Sequence, residues 1–274
     1  MDKGVTMGSE IRLPVPIKQC VDDSSIWIKV LLWGDSGSGK THTSATVGTN
    51  KNKVIFCCAE EQGKLSIANG NEDALVYVVN SVKDVYDFLK LIKSDGFKEK
   101  YGVDSIVFDS LTEIQRLFAD DIKGESDTLQ IKDYLLLHER MLKFLRFLRN
   151  LEFHVVCTAL AVHNSNPDGT SRVEPMFIGQ KMCNMIAQFF NLVGYMTKVE
   201  ITKDDTKKLM HRVILNSTSA YITKGTPQLN AVEEPNLRVW VDKISSRKKA
   251  EDTTPHDETQ EPKQTTTRRR RRSR

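Results

Sequence analysis

The run Gly34-Asp35-Ser36-Gly37-Ser38-Gly39-Lys40-Thr41 places three glycines, a lysine and a hydroxyl residue at the spacing G-x-x-x-x-G-K-T. Glycine at 34, 37 and 39 admits the backbone angles that turn successive N–H groups inward around a phosphate. Lys40 can reach the β- and γ-phosphates of a nucleotide, and the Thr41 hydroxyl can ligate Mg²⁺. His42 completes the set of residues expected against the nucleotide. ATP with Mg²⁺ is the cofactor pair this chemistry implies. Two elements must position it. An apolar run from Ile26 to Trp33 reads as a buried strand feeding the loop. A helix opening near Lys40 adds its unpaired N–H groups and dipole.

A phosphate loop alone binds. Hydrolysis also needs an acid for the metal and a base for water. The strand-like run Asp104 to Asp109 (DSIVFD) ends in a carboxylate. At the C-terminal edge of a parallel sheet, Asp109 fits the acid on the Mg²⁺ side. As the residue before Ser110 and a helix, it also fits an N-cap. Glu60 and Glu61 end the run Lys53 to Ala59 (KVIFCCA). Only one of two adjacent side chains can point inward, and Glu60 is the preferred candidate to orient or deprotonate the attacking water.

Stepping along the chain supplies the scaffold. Residues 1–24, with Pro14 and Pro16, read as an extended arm. Strands are expected near 26–33, 53–59, 74–79, 104–109 and 153–160, and helices near 81–92, 110–121, 131–151 and 178–188. Residues 163–175, rich in Asn, Pro, Asp and Gly, read as a loop. Strands near 190–200 and 210–216 flank a hairpin, and a last strand surrounds Tyr221–Lys224. The fold class is therefore α/β: a mainly parallel central sheet with helices on both faces and an antiparallel C-terminal extension. The domain expected is 25–242, followed by a disordered basic tail, 243–274.

Charge is unevenly placed. Of 40 Lys/Arg and 36 Asp/Glu in 274 residues, 11 and 5 fall in 243–274, which leaves 29 and 31 in the body. The basicity belongs to the tail, where Arg268, Arg269, Arg270, Arg271, Arg272 and Arg274 crowd seven positions. Such a run suits nucleic-acid phosphates without base preference, or an acidic partner such as the tail of a single-stranded-DNA-binding protein. Five cysteines (Cys20, Cys57, Cys58, Cys157 and Cys183) show no metal-ligand spacing and suggest a reducing, cytoplasmic setting. No apolar run approaches the ~18 residues of a membrane span. Phe177, Phe189, Phe190 and Tyr195 fall in helix or strand patterns and read as core rather than as stacking platforms for bases.

The order GDSGSGKT, FCCAEE, IVFDS, VVCTAL, then a polar loop and FIGQK, resembles the RecA-like P-loop ATPase core. It is most similar to compact phage-encoded RecA-like recombinases linked to single-strand annealing, over residues 26–240. The resemblance implies that Glu60 activates water and that Asp109 is the Walker B acid. It places DNA-binding loops at 123–130 and 161–175, with His163, Asn164 and Arg172 in the second. It implies a homo-oligomer, ring or filament, in which Lys224 reaches a neighbour's γ-phosphate as a cationic finger; a solvated turn lysine reads equally well. The family usually carries Gln after the sensor strand; here the chain has Thr158-Ala159-Leu160, and Thr158 could substitute. The large C-terminal domain of bacterial RecA has no counterpart here.

The expected function is ATP-dependent DNA recombination, in which ATP turnover controls assembly on single-stranded DNA and promotes annealing or strand exchange. The alternatives are a ring-forming helicase or helicase-loading ATPase, and a nucleotide-gated DNA- or partner-binding module with negligible turnover.

Overall fold

The computed structural model describes residues 27–48, 53–59, 63–165, 171–203, 206–216, 218 and 220–251. The N-terminal arm, Cys20, Glu60, Glu61 and the arginine run lie outside the described residues.

The strands are β1 (Lys29–Gly34), β2 (Lys53–Cys58), β3 (Leu75–Val78), β4 (Val103–Asp109), β5 (His154–Ser165), β6 (Ser171–Pro175), β7 (Leu192–Lys203), β8 (Thr206–Ile214) and β9 (Val232–Glu233). They form one sheet in the order β3-β2-β4-β5-β1-β7-β8-β9, with β6 paired to the far half of β5. Pairing is parallel from β3 through β7 and antiparallel at β7–β8, β8–β9 and β5–β6. The expected fold class, α/β with an antiparallel C-terminal extension, is the one observed.

Period-two alternation in β1 explains the two cores. Leu31 and Trp33 face one side, packing with Phe88, Phe108, Phe118 and Phe144. That layer includes helices α3 (Val82–Ile92), α5 (Leu111–Lys123) and α6 (Ile131–Arg149). Val30 and Leu32 face the other side, with Phe56, Val107, Val156 and Trp240. Helices α1 (Lys40–Ala45), α2 (Lys64–Gly70) and α8 (Leu237–Glu251) contribute there. A strand buried on both faces must read as a near-continuous apolar run, and β1 does from Val30 to Trp33, with buried Lys29 at its start. Ser81 and Ser110 cap α3 and α5 by accepting from the amides of Asp84 and Glu113. The remaining helices are α4 (Phe97–Tyr101) and α7 (Gln180–Met185), the latter running into a 3₁₀ turn, Ile186–Phe189.

Four expectations need correction. Residues 161–175 are a β5–β6 hairpin as far as they are described, in register from Ala161↔Pro175 to Ser165↔Ser171; the polar alternation of the arms hid the strands. The segment around Tyr221–Lys224 makes two isolated bridges, Val173↔Tyr221 and Val193↔Lys224, in place of a strand. The expected helix at 178–188 is split between α7 and the 3₁₀ turn. Residues 243–251, assigned to the disordered tail, continue α8, because Leu237 and Trp240 are buried and Lys243 pairs with buried Glu233 at 2.7 Å.

Candidate active site

Sheet topology brings the three chemical stretches together. β5 lies between β4 and β1, so the C-terminal ends of all three strands open on one edge. The phosphate loop leaves β1 at that edge, and Asp109 ends β4 there. A Cβ on Gly34 would stand 2.5 Å from the Met196 carbonyl oxygen, so only glycine admits this approach of β1 to β7. Gly39 enters α1 with φ +94°, in the left-handed region.

Lys40 is buried and donates to the carbonyls of Gly34 (2.9 Å) and Asp35 (2.8 Å), which holds its amine over the loop. The Ser38 hydroxyl oxygen is buried and has no hydrogen-bond partner among the described residues. Buried polar atoms are rarely left so, and an oxygen-rich ligand in the loop would satisfy it. Thr41 Oγ1 donates to Asp109 Oδ2 at 2.8 Å. The other carboxylate oxygen accepts from the Thr158 hydroxyl. Thr158 is wholly buried on β5, and Asp109 is 7% exposed. Each hydrogen bond to an ionised carboxylate contributes about 1.5–3 kcal/mol, so the two hold its orientation firmly. A hydroxyl and a carboxylate are hard oxygen donors, the set Mg²⁺ prefers. The residues present therefore fit a Mg²⁺–nucleotide, with Thr41 and Asp109 on the metal.

The residues flanking Glu60 border the same point. Ala59 donates its amide to the Asp109 carbonyl at 2.9 Å, and Cys58 pairs with Asp109 in register. A Cβ on Gly63 would lie 3.7 Å from Asp109 Oδ2 and 3.9 Å from the Thr41 methyl.

The candidate DNA contacts are drawn into the protein's own network. His163 Nε2 donates to Asp35 Oδ1 at 2.8 Å, linking the β5–β6 hairpin to the phosphate loop. Asn164 Nδ2 donates to Glu174 at 3.0 Å, and Arg172 pairs with the same carboxylate, which is 2% exposed. Lys224 is exposed, and its amine donates to the Phe190 carbonyl at 2.9 Å. Asp35, Ser36 and Gly37 are exposed on the outer turn of the loop, and His42 is exposed on α1. Phe189, Phe190 and Tyr195 are buried.

One residue escaped the sequence reading. His211 on β8 donates from Nδ1 to the Ser38 carbonyl at 2.7 Å, since a carbonyl can only accept. A Cβ on Gly39 would meet that nitrogen at 3.1 Å. A lone histidine 173 residues downstream carries no local signal of this contact. The four cysteines described are buried, and burial pushes the Cys57, Cys157 and Cys183 thiols up, away from reactivity. Among the described residues no helix is long and apolar enough to cross a membrane, and no group of three His, Cys, Asp or Glu could hold a metal.

A phosphate loop between β1 and α1, with a strand-borne acid on its threonine, defines a P-loop nucleoside-triphosphatase domain. The AAA_24 family, described as an AAA domain, matches residues 27–226, and the chain belongs to it. No curated protein matches. Among solved structures, the flagellar accessory protein FlaH from Methanocaldococcus jannaschii aligns at 14% identity and TM-score 0.34, over 68% of this chain and 77% of that one. An ATPase from the type III secretion system of pathogenic bacteria aligns at 10% identity and TM-score 0.44, over 63% of this chain. The chain spans 52% of that ATPase's length.

Proposed function

We propose that the protein is a Mg²⁺-dependent ATPase whose turnover is coupled to single-stranded DNA, acting in annealing or strand exchange. The observation that carries the ATPase reading is the 2.8 Å bond between Thr41 and Asp109 at the mouth of the phosphate loop. A hydroxyl and a carboxylate held together there supply the two oxygen donors that the metal on a bound triphosphate needs. Lys40 neutralises charge developing on the phosphates. Glu60, whose described neighbours Ala59 and Gly63 border Asp109, orients or deprotonates the attacking water. Lys224, exposed and bridged to Val193 of β7, is a cation for a neighbouring copy in a ring or filament.

The DNA half of the proposal draws support from the six arginines of 268–274 and from the order of motifs along the chain. The His163–Asp35 link offers a path from phosphate loop to hairpin. The test is ATP hydrolysis with and without single-stranded DNA. Stimulation by DNA that is lost in Glu60→Gln supports the reading. A flat response to DNA sinks the recombination function while leaving the nucleotide site standing.

A further inference from the structure

Away from the nucleotide site, α3 and α6 border an open groove of about 510 Å³. Its lining comes from these two helices, on the face of the sheet opposite α1, α2 and α8. Residues three and four apart share one face of a helix. That spacing aligns Tyr86, Leu89 and Lys93 on α3, and Arg140, Phe144 and Phe147 on α6.

The floor is apolar. Leu89 and Phe144 are buried, and Phe147 is half-buried. Tyr86 is 41% exposed, its ring stacked on Phe118 at 6.1 Å. Apolar surface left open inside a polar rim marks an interaction site.

The rim is cationic. Lys90 pairs with Asp87 at 3.0 Å and Arg140 with Asp121, so both charges are met within the protein. Lys93 and Lys143 are exposed on opposite walls and have no ion pair among the described residues. Lys93 Nζ stands 5.4 Å from the centre of the Phe147 ring, which sets a charge directly beside the floor.

This balance discriminates among anions. A nucleic-acid strand carries a phosphate at every step and would run some of that charge past Asp87 and Asp121. An acidic peptide can set a few carboxylates against Lys93 and Lys143 and bury an aromatic ring on the floor. We propose that the groove docks an acidic segment of a partner protein, with an aromatic side chain between the helices and carboxylates on Lys93 and Lys143.

Fluorescence anisotropy of a labelled peptide, GDDFDDG, titrated with the full chain tests it. Binding should saturate, and replacing the peptide's phenylalanine by serine should weaken it about tenfold. Lys93→Gln combined with Lys143→Glu alters two exposed positions and should also weaken the peptide about tenfold. Lys132→Glu, at an exposed position of α6 outside the groove, should bind as wild type does. Absence of saturation, indifference to the serine peptide or to the double variant, or an equal loss in Lys132→Glu would overturn the proposal. An oligothymidylate whose affinity falls in the double variant as far as the peptide's would give the groove to nucleic acid instead. Sedimentation of both proteins covers a second copy: self-association lost in the double variant would overturn the proposal in that direction.

Discussion

The two flanks of the phosphate loop differ in how their polar groups are satisfied. On the β4–β5 side, Thr41 and Thr158 donate to the two oxygens of one buried carboxylate. On the β8 side, His211 reaches a backbone carbonyl, Leu209 stands exposed and the Asn236 amide nitrogen has no partner among the described residues. A site for chemistry needs groups already fixed where charge develops, because reorganisation at that moment would cost rate. A site for recognition needs surface still to be covered. The contrast separates a flank whose polar groups are already fixed from one whose surface is still uncovered.

Lys40 serves the reacting flank, so it offers the strongest way to break this division. Lys40→Ala should lower kcat by about 10²–10³, the usual cost of losing one charge-stabilising donor. Steady-state phosphate release checks it, and a purely affinity-based defect, with kcat preserved, would move Lys40 to the recognition side. Thr158→Val sharpens the same comparison from within. It leaves one buried oxygen of Asp109 without its donor, which should destabilise the fold by about 1–3 kcal/mol and lower kcat more than it raises KM. Denaturant unfolding and Michaelis kinetics read the two effects separately.

Lys29 gives the smallest effect and a control remote from both flanks. It begins β1, buried, and donates to the carbonyls of Leu151 (2.7 Å) and Phe153 (2.6 Å). Burial lowers its pKa to about 8 from 10.5. Between those values the unfolded chain binds more protons than the folded one, so the Lys29 contribution to stability rises with pH through about 8 to 10.5 and is level below it. Wild type should therefore gain stability relative to Lys29→Met across that window. A constant difference in unfolding free energy would contradict the assignment.

What could be read from the sequence was local. Gly34–Thr41 declares itself in eight consecutive residues, and Asp109 in a run of apolar residues ending in an acid. The alternation of such runs with helical spacing was enough for the fold class. What escaped depends on pairing across distance. In the sequence Thr158 stands out only as a departure from a family pattern, and its bond to Asp109 follows from β5 lying beside β4. His211 required the β7–β8 register. The end of α8, 243–251, reads as tail because its apolar residues are few, and burial of Leu237 and Trp240 in the core, not propensity, holds the helix.

In the proposed reaction Thr41 and Asp109 bind the metal of the ATP that is hydrolysed. Phosphate release by wild type and Asp109→Asn, each with Mg²⁺ and with excess chelator, tests it most directly. The account predicts turnover by wild type only with Mg²⁺, and a loss of about 10²-fold or more in Asp109→Asn with the metal present. Turnover that persists in chelator, or that Asp109→Asn leaves intact, would contradict it.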